Sequence, residues 1–175
     1  RADQFDNNRH GTQGVLVLAN RDGTDPQDFG RDGEYPWASW SPDGRQIACL
    51  APSGIQFVDL ATRKTTATLK RLGFYQQLTW SPDGHWLVGV SNSFGINWVV
   101  ARMEVASGKA NAVSATANTE GSCTPDWFPD SRRVVYSSRP AQWTQLWTAD
   151  GDGGSRAPVY AETGRHIYGG CISPD

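Results

Sequence analysis

Trp40-Ser41-Pro42-Asp43-Gly44 recurs unchanged as Trp80-Ser81-Pro82-Asp83-Gly84. A degraded copy follows at Trp127-Phe128-Pro129-Asp130-Ser131, and a last one is Ile172-Ser173-Pro174-Asp175. Spacings of 40, 47 and 45 residues keep the four copies in register, which marks a repeated supersecondary unit. The surroundings repeat too. A β-prone stretch precedes the motif, as in Tyr75 to Trp80. One apolar run follows it (Gln46 to Leu50, Trp86 to Val90, Val134 to Tyr136) and then a second (Ile55 to Leu60, Trp98 to Val105, Leu146 to Ala149). A turn comes next, at Ala61 to Lys64, Ser107 to Lys109 and Asp150 to Gly153, and then one more short polar stretch. Each unit therefore reads as four antiparallel strands, A to D, joined by hairpins. No stretch has a sustained 3.6-residue period with caps, so no helix is expected.

The motif is a tight reversal between strands A and B. Pro42, Pro82 and Pro129 preset φ at the first central position, and Asp43, Asp83 and Asp130 follow, a residue type favoured in turns. Gly44 and Gly84 take the left-handed position at little cost. Ser131 in the third copy costs about 1 kcal/mol if that geometry is kept. The Trp before the turn is a large apolar plate suited to the gap between neighbouring sheets, and eight Trp in 175 residues fit a repeated structural role.

The Trp-Ser-Pro-Asp-Gly copies, each followed by an apolar strand and an Asp-Gly-type hairpin, resemble the WD-like repeats of TolB-type β-propellers. Related repeats occur in the propeller domains of prolyl oligopeptidase-like peptidases and in oligogalacturonate lyases. The resemblance covers essentially the whole chain and implies an all-β propeller of four-stranded antiparallel blades. It also implies a parent ring of six or more blades, of which this chain is an incomplete segment. On that reading residues 1–33 carry strands C and D of a preceding blade, and 34–73, 74–120 and 121–165 are whole blades. Residues 166–175 are then strand A of a following one. The first residue is Arg1 and no signal-peptide pattern is present, so the chain is expected to be a processed product or a piece of something longer.

Sixteen Lys+Arg against eighteen Asp+Glu give a net charge of −2. A dedicated nucleic-acid binder would show a basic excess, and no apolar run is long enough for a transmembrane helix. Catalytic signatures are missing: there is no Gly-x-Ser-x-Gly elbow, no HExxH and no phosphate-cradling loop. The aspartates of the turns recur because the turn recurs. Asp150-Gly151-Asp152-Gly153 lacks the further ligands of a calcium loop. His85 reads as a solvated strand residue and His10 as part of a polar lead-in. His166 opens an A strand but has no aligned second His, and a metal needs three or more ligands, so neither metal nor cofactor is expected. Cys49 reads as a core residue. Cys123 and Cys171 sit at offsets of opposite parity, which disfavours a disulfide.

Recognition is expected on the rim formed by the D–A and B–C connections, whose length and chemistry vary while the other turns are stereotyped. Glu34, Tyr35, Tyr75, Phe94, Asn97, Trp143, Arg165 and His166 are the candidate partner-binding residues. Trp37, Phe74 and Trp98 add aromatic area there or, equally, pack between blades. The leading expectation is a non-catalytic protein-interaction scaffold with a protein partner, and with self-association through open blade edges as a further possibility. The resemblance implies a bacterial periplasmic or envelope setting. The alternative is a propeller domain of a larger enzyme, either a prolyl oligopeptidase-like peptidase or an oligogalacturonate lyase-like protein.

Overall fold

The structure, a computed structural model, describes residues 14–117 and 121–173. Among the described residues the only regular elements are strands. A two-stranded hairpin, β1 (Leu16–Leu18) and β2 (Gln27–Phe29), comes first. The first full sheet is β3 (Ser39–Trp40), β4 (Gln46–Ala51), β5 (Gly54–Asp59) and β6 (Thr65–Leu69). The second is β7 (Phe74–Trp80), β8 (Trp86–Ser91), β9 (Val99–Glu104) and β10 (Ala110–Ala112). The third is β11 (Ser122–Trp127), β12 (Arg133–Ser138), β13 (Gln145–Asp150) and β14 (Ala157–Tyr160). Each full sheet is a four-stranded antiparallel meander with strands paired in sequence order, the unit of which propeller blades are made.

The middle strands of the first two sheets and β12 are largely buried on both faces, whereas β13 is only half-buried, and successive side chains serve different gaps. Ile47 and Cys49 pack with Phe29 towards the hairpin, whereas Ala48 and Leu50 pack with Phe74, Leu78 and Trp80 towards the second sheet. Leu87 faces back into that gap, and Val88 faces forward to Val134 and Tyr136. Three separate apolar cores therefore lie between layers.

The motif turns are closed hydrogen-bonded units. The Ser41 hydroxyl donates to Asp43 Oδ1 at 2.6 Å, that oxygen accepts from the Arg45 N–H at 3.1 Å, and Gln46 N–H donates to Ser41 Oγ. Ser81, Asp83, His85 and Trp86 repeat the arrangement. In the third copy Phe128 replaces the Ser, and Asp130 Oδ1 instead accepts from both Arg132 and Arg133 N–H at 2.9 Å. Ser131 keeps the left-handed backbone, φ 56°, beside 68° at Gly44 and 77° at Gly84. Its hydroxyl oxygen accepts from the Asp83 N–H of the adjacent turn.

The motif tryptophans diverge. Trp80 and Trp127 are 7% and 4% exposed, Trp80 lying edge-on to Phe57 at 5.3 Å. Trp40 is 53% exposed. It does not fill a gap as expected, because the β1–β2 hairpin beside it has no inner strands among the described residues to cover the indole.

Three positions reveal a repeat that side-chain identity hides. Trp37, Gln77 and Thr124 each lie three residues before the motif Trp, and their φ angles are 54°, 56° and 51°. Gly169, three before Ile172, has φ 74°. A left-handed residue thus recurs at the same place ahead of each motif, and the pairing of β7 and β11 shifts register there. Gln77 Oε1 accepts from the Thr124 N–H at 2.6 Å, and Thr124 Oγ1 accepts in turn from the Gly169 N–H at 3.3 Å. The side chain of one bulge caps the backbone of the next.

Residues 161–173 form no strand. The A strand expected at 166–175 is not formed among the described residues, but the segment is tied to the third sheet. Gly169 N–H also donates to Ser137 Oγ at 3.0 Å, Ile172 N–H to Asp126 Oδ2 at 3.3 Å, and Gly170 lies against Leu146 and Val135. The bond from Ile172 matches that from Trp80 N–H to Ser39 Oγ two layers earlier. Pro174, Asp175 and His10 lie outside the described residues.

Candidate functional site

The D–A and B–C connections interlock along one rim through backbone bonds. Asn92 N–H donates to the Gly73 carbonyl at 3.2 Å, Ser122 N–H to the Trp98 carbonyl at 2.8 Å, and Arg139 N–H to that of Gly121 at 3.3 Å. Ile96 N–H reaches the Thr116 carbonyl at 3.1 Å, and Ile167 N–H that of Thr144 at 3.1 Å. Gly73 is required where it stands. Its φ is 73°, and a Cβ there would lie 2.0 Å from Ser93 Oγ.

On this frame the sequence-chosen residues separate. Glu34 is exposed and accepts the Arg31 N–H on Oε2 at 2.7 Å. Tyr35 is half-buried against Phe29, ring centres 5.4 Å apart, and burial, helped by Glu34, pushes its hydroxyl above the usual range. Tyr75 packs edge-on to Trp98 at 6.1 Å. Its hydroxyl is enclosed without a hydrogen-bond partner, and burial, with Cys123 nearby, raises it strongly. Phe94 leans inward on Phe74, which is fully buried. Asn97 Oδ1 accepts the Trp98 N–H at 2.8 Å and so shapes the loop that presents Trp98. Trp37 joins the core beneath, with its indole N–H unpartnered.

Trp143 and His166 come together. Their rings meet edge-on at 5.1 Å, and Tyr168 stacks on the imidazole at 6.0 Å. His166 Nδ1 lies 3.0 Å from the Thr144 hydroxyl and 3.3 Å from its N–H, so that nitrogen is committed to holding the tail. Arg165 is paired with Glu162 at 3.4 Å. Among the described residues no three His, Cys, Asp or Glu side chains gather as metal ligands. Cys49, Cys123 and Cys171 are free thiols.

Sequence reasoning passed over Leu72, Ile96 and Tyr168, which the rim exposes at 38%, 71% and 62%, together with Trp98 at 47%. The signal for Ile96 was a lone aliphatic between Gly95 and Asn97 in a turn-rich loop. The rim connections carry Arg31, Lys70, Arg71, Arg139 and Arg165 together with Asp32, Glu34 and Glu162. The rim thus offers apolar contact area among charges of both signs.

No family model and no curated protein matches the chain. Solved structures do. TolB from Acinetobacter baumannii superposes with a TM-score of 0.67 over 85% of this chain, at 20% identity. A putative TolB from Agrobacterium tumefaciens gives 0.68 over 85%, at 21% identity. The fold is that of a TolB-type β-propeller. An oligogalacturonate lyase in complex with manganese also matches, with a TM-score of 0.62 at 13% identity over 85% of this chain. The chain spans 38%, 57% and 46% of these three structures, so what it has is an incomplete propeller. No helix among the described residues is long and apolar enough to cross a membrane.

Proposed function

We propose that the chain is a non-catalytic binding segment of a TolB-like propeller, presenting the rim of D–A and B–C connections to a protein partner in the bacterial envelope. One observation carries this reading: of the large apolar side chains left exposed among the described residues, Leu72, Ile96, Trp98 and Tyr168 lie in or beside those connections, the others being Trp40 and residues of the two end layers, Val15, Val17, Val159 and Tyr160. Scattered apolar side chains need no explanation, but a set gathered on varied loops above a stereotyped scaffold is the pattern of an interaction face. Trp98 and the Trp143–His166–Tyr168 group are rigid aromatic anchors of the kind that dominate binding energy. Lys70, Arg71 and Arg139 in the same connections would pair with carboxylates of a partner, and Glu34 with a cation.

Site-specific photocrosslinking in cells tests this. A photoreactive residue at position 96, 98 or 168 should yield a discrete heterologous adduct, whereas one at 45 or 109, on the opposite turns, should not. Adducts from the opposite turns alone, or equally from both faces, would sink the proposal.

A further inference from the structure

Between the second and third sheets the layers fail to close. The strand β10 has only three residues, after which Val113 and Ser114 both donate their N–H to the Val100 carbonyl, at 2.8 and 3.1 Å. That double contact turns the chain away from the sheet, and the residues that follow, Ala115 and Ala117, are too small to fill the space. A cavity of about 310 Å3 remains, walled by Tyr136, Trp147 and Pro140 and bordered by Ser138 and Arg156. This is the size at which small-molecule sites begin; it opens among the rim connections, beside the Thr116 carbonyl that Ile96 N–H reaches, but none of the exposed side chains of the preceding proposal lines it.

Tyr136, 1% exposed, belongs to the core beneath, and the accessible wall, Trp147, is held by an indole N–H bond to Gln145 Oε1 at 3.0 Å. Burial pushes the Tyr136 phenol up to about 12, with Arg156 pulling the other way, so it is a neutral hydroxyl at any physiological pH. Arg156 gives its Nε–H to the Val113 carbonyl at 3.1 Å, which sets the guanidinium beside the cavity. One accessible aromatic plate, Trp147, small aliphatic walls and one anchored cation select a flat apolar body that carries a negative charge.

We propose that this inter-sheet cavity is a binding site for a small aryl carboxylate. The arene lies against Trp147, above the enclosed Tyr136, and the carboxylate meets Arg156.

The probe is phenylacetate, with 2-phenylethanol as its uncharged counterpart, titrated into the 15N-labelled chain while the Trp147 indole signal is followed. Saturable movement of that signal is expected with phenylacetate, at an affinity about tenfold above that of the alcohol, the scale of one charge-assisted contact. Arg156→Gln should erase the difference and leave the weak binding of the alcohol. Ala115→Leu should block both ligands. Ala117→Leu, at an exposed position, supplies the same obstruction should the first variant lose its signal dispersion. Absence of a saturable shift, equal affinity for acid and alcohol, or undiminished binding in a folded variant with the cavity filled would each overturn the assignment.

Discussion

Ser131 allows backbone strain and a hydrogen bond to be weighed against each other at one atom. Its φ of 56° is a conformation that costs an L-residue about 1 kcal/mol relative to Gly. Replacing it by Gly relieves that cost. The same change removes the oxygen that accepts the Asp83 N–H at 3.0 Å, and an exposed hydrogen bond of this kind contributes about 0.5–1.5 kcal/mol. The two nearly cancel, so Ser131→Gly should leave stability within about 0.5 kcal/mol of the parent. Ser131→Ala keeps the strain and loses the bond, and should cost about 0.5–1 kcal/mol. Gly44→Ala isolates the other half, because nothing lies within 4 Å of a Cβ built there while φ is 68°. It should cost about 1 kcal/mol. Urea unfolding followed by tryptophan emission reads all three, and a chain of this length should move by about 2–4 °C in melting temperature per kcal/mol. If Gly44→Ala proves neutral, the left-handed position carries no penalty and the argument fails. If Ser131→Gly stabilises as much as Gly44→Ala destabilises, the cross-turn bond contributes nothing.

Further outcomes follow from the layers. Trp127→Ala should cost about 3–5 kcal/mol, as for a buried aromatic, while Trp40→Ala at the same motif position should cost under about 1 kcal/mol. Equal costs in urea unfolding would contradict the difference in burial. Gln77→Leu removes the acceptor of the Thr124 N–H and should cost about 1–3 kcal/mol, with that amide exchanging faster while distant amides keep their protection. The Cys49 thiol, fully buried, is pushed up to about 12 by desolvation and, less, by Glu34. In the unfolded chain a thiol ionises near its ordinary value, so the folded state holds the proton longer. Stability should therefore decline as pH rises from about 9 towards 12, and a thiol reagent at pH 8 should reach the exposed Cys171 first and Cys49 only on unfolding. Modification of Cys49 in the native protein at a rate matching Cys171 would refute its enclosure.

The strand grammar was legible because it rests on residues with strong local preferences. Pro42-Asp43-Gly44 and its copies dictate a turn, and the apolar runs on either side dictate strands buried on both faces. The rim could be placed from the same repeat, since it is where the repeat stops being regular. Burial within the rim could not. Phe94 and Ile96 differ by two positions in one loop, yet the first turns inward on Phe74 and the second is exposed, which depends on where the Thr116 carbonyl fixes the backbone. Trp40 misled because its burial depends on the neighbouring layer and not on its own motif. The inner-strand bulge was invisible for a different reason. Trp, Gln and Thr are not residues that signal positive φ, so nothing local marks them, and the conformation is imposed by the adjacent layer.

That last feature bears on how such chains grow. Along the inner strands the side-chain acceptors belong to the earlier layer, Ser39, Gln77, Thr124 and Asp126, and the donors of the later layer are backbone N–H groups of Trp80, Thr124, Gly169 and Ile172, while the turn bond from Asp83 N–H to Ser131 runs the other way. A newly duplicated unit therefore needs no particular side chain at these positions to dock in register. It needs only a backbone N–H there, which proline alone lacks, and a residue that tolerates the left-handed turn. Copies can diverge after duplication without losing their seat, which is the freedom seen in the series Trp37, Gln77, Thr124 and Gly169.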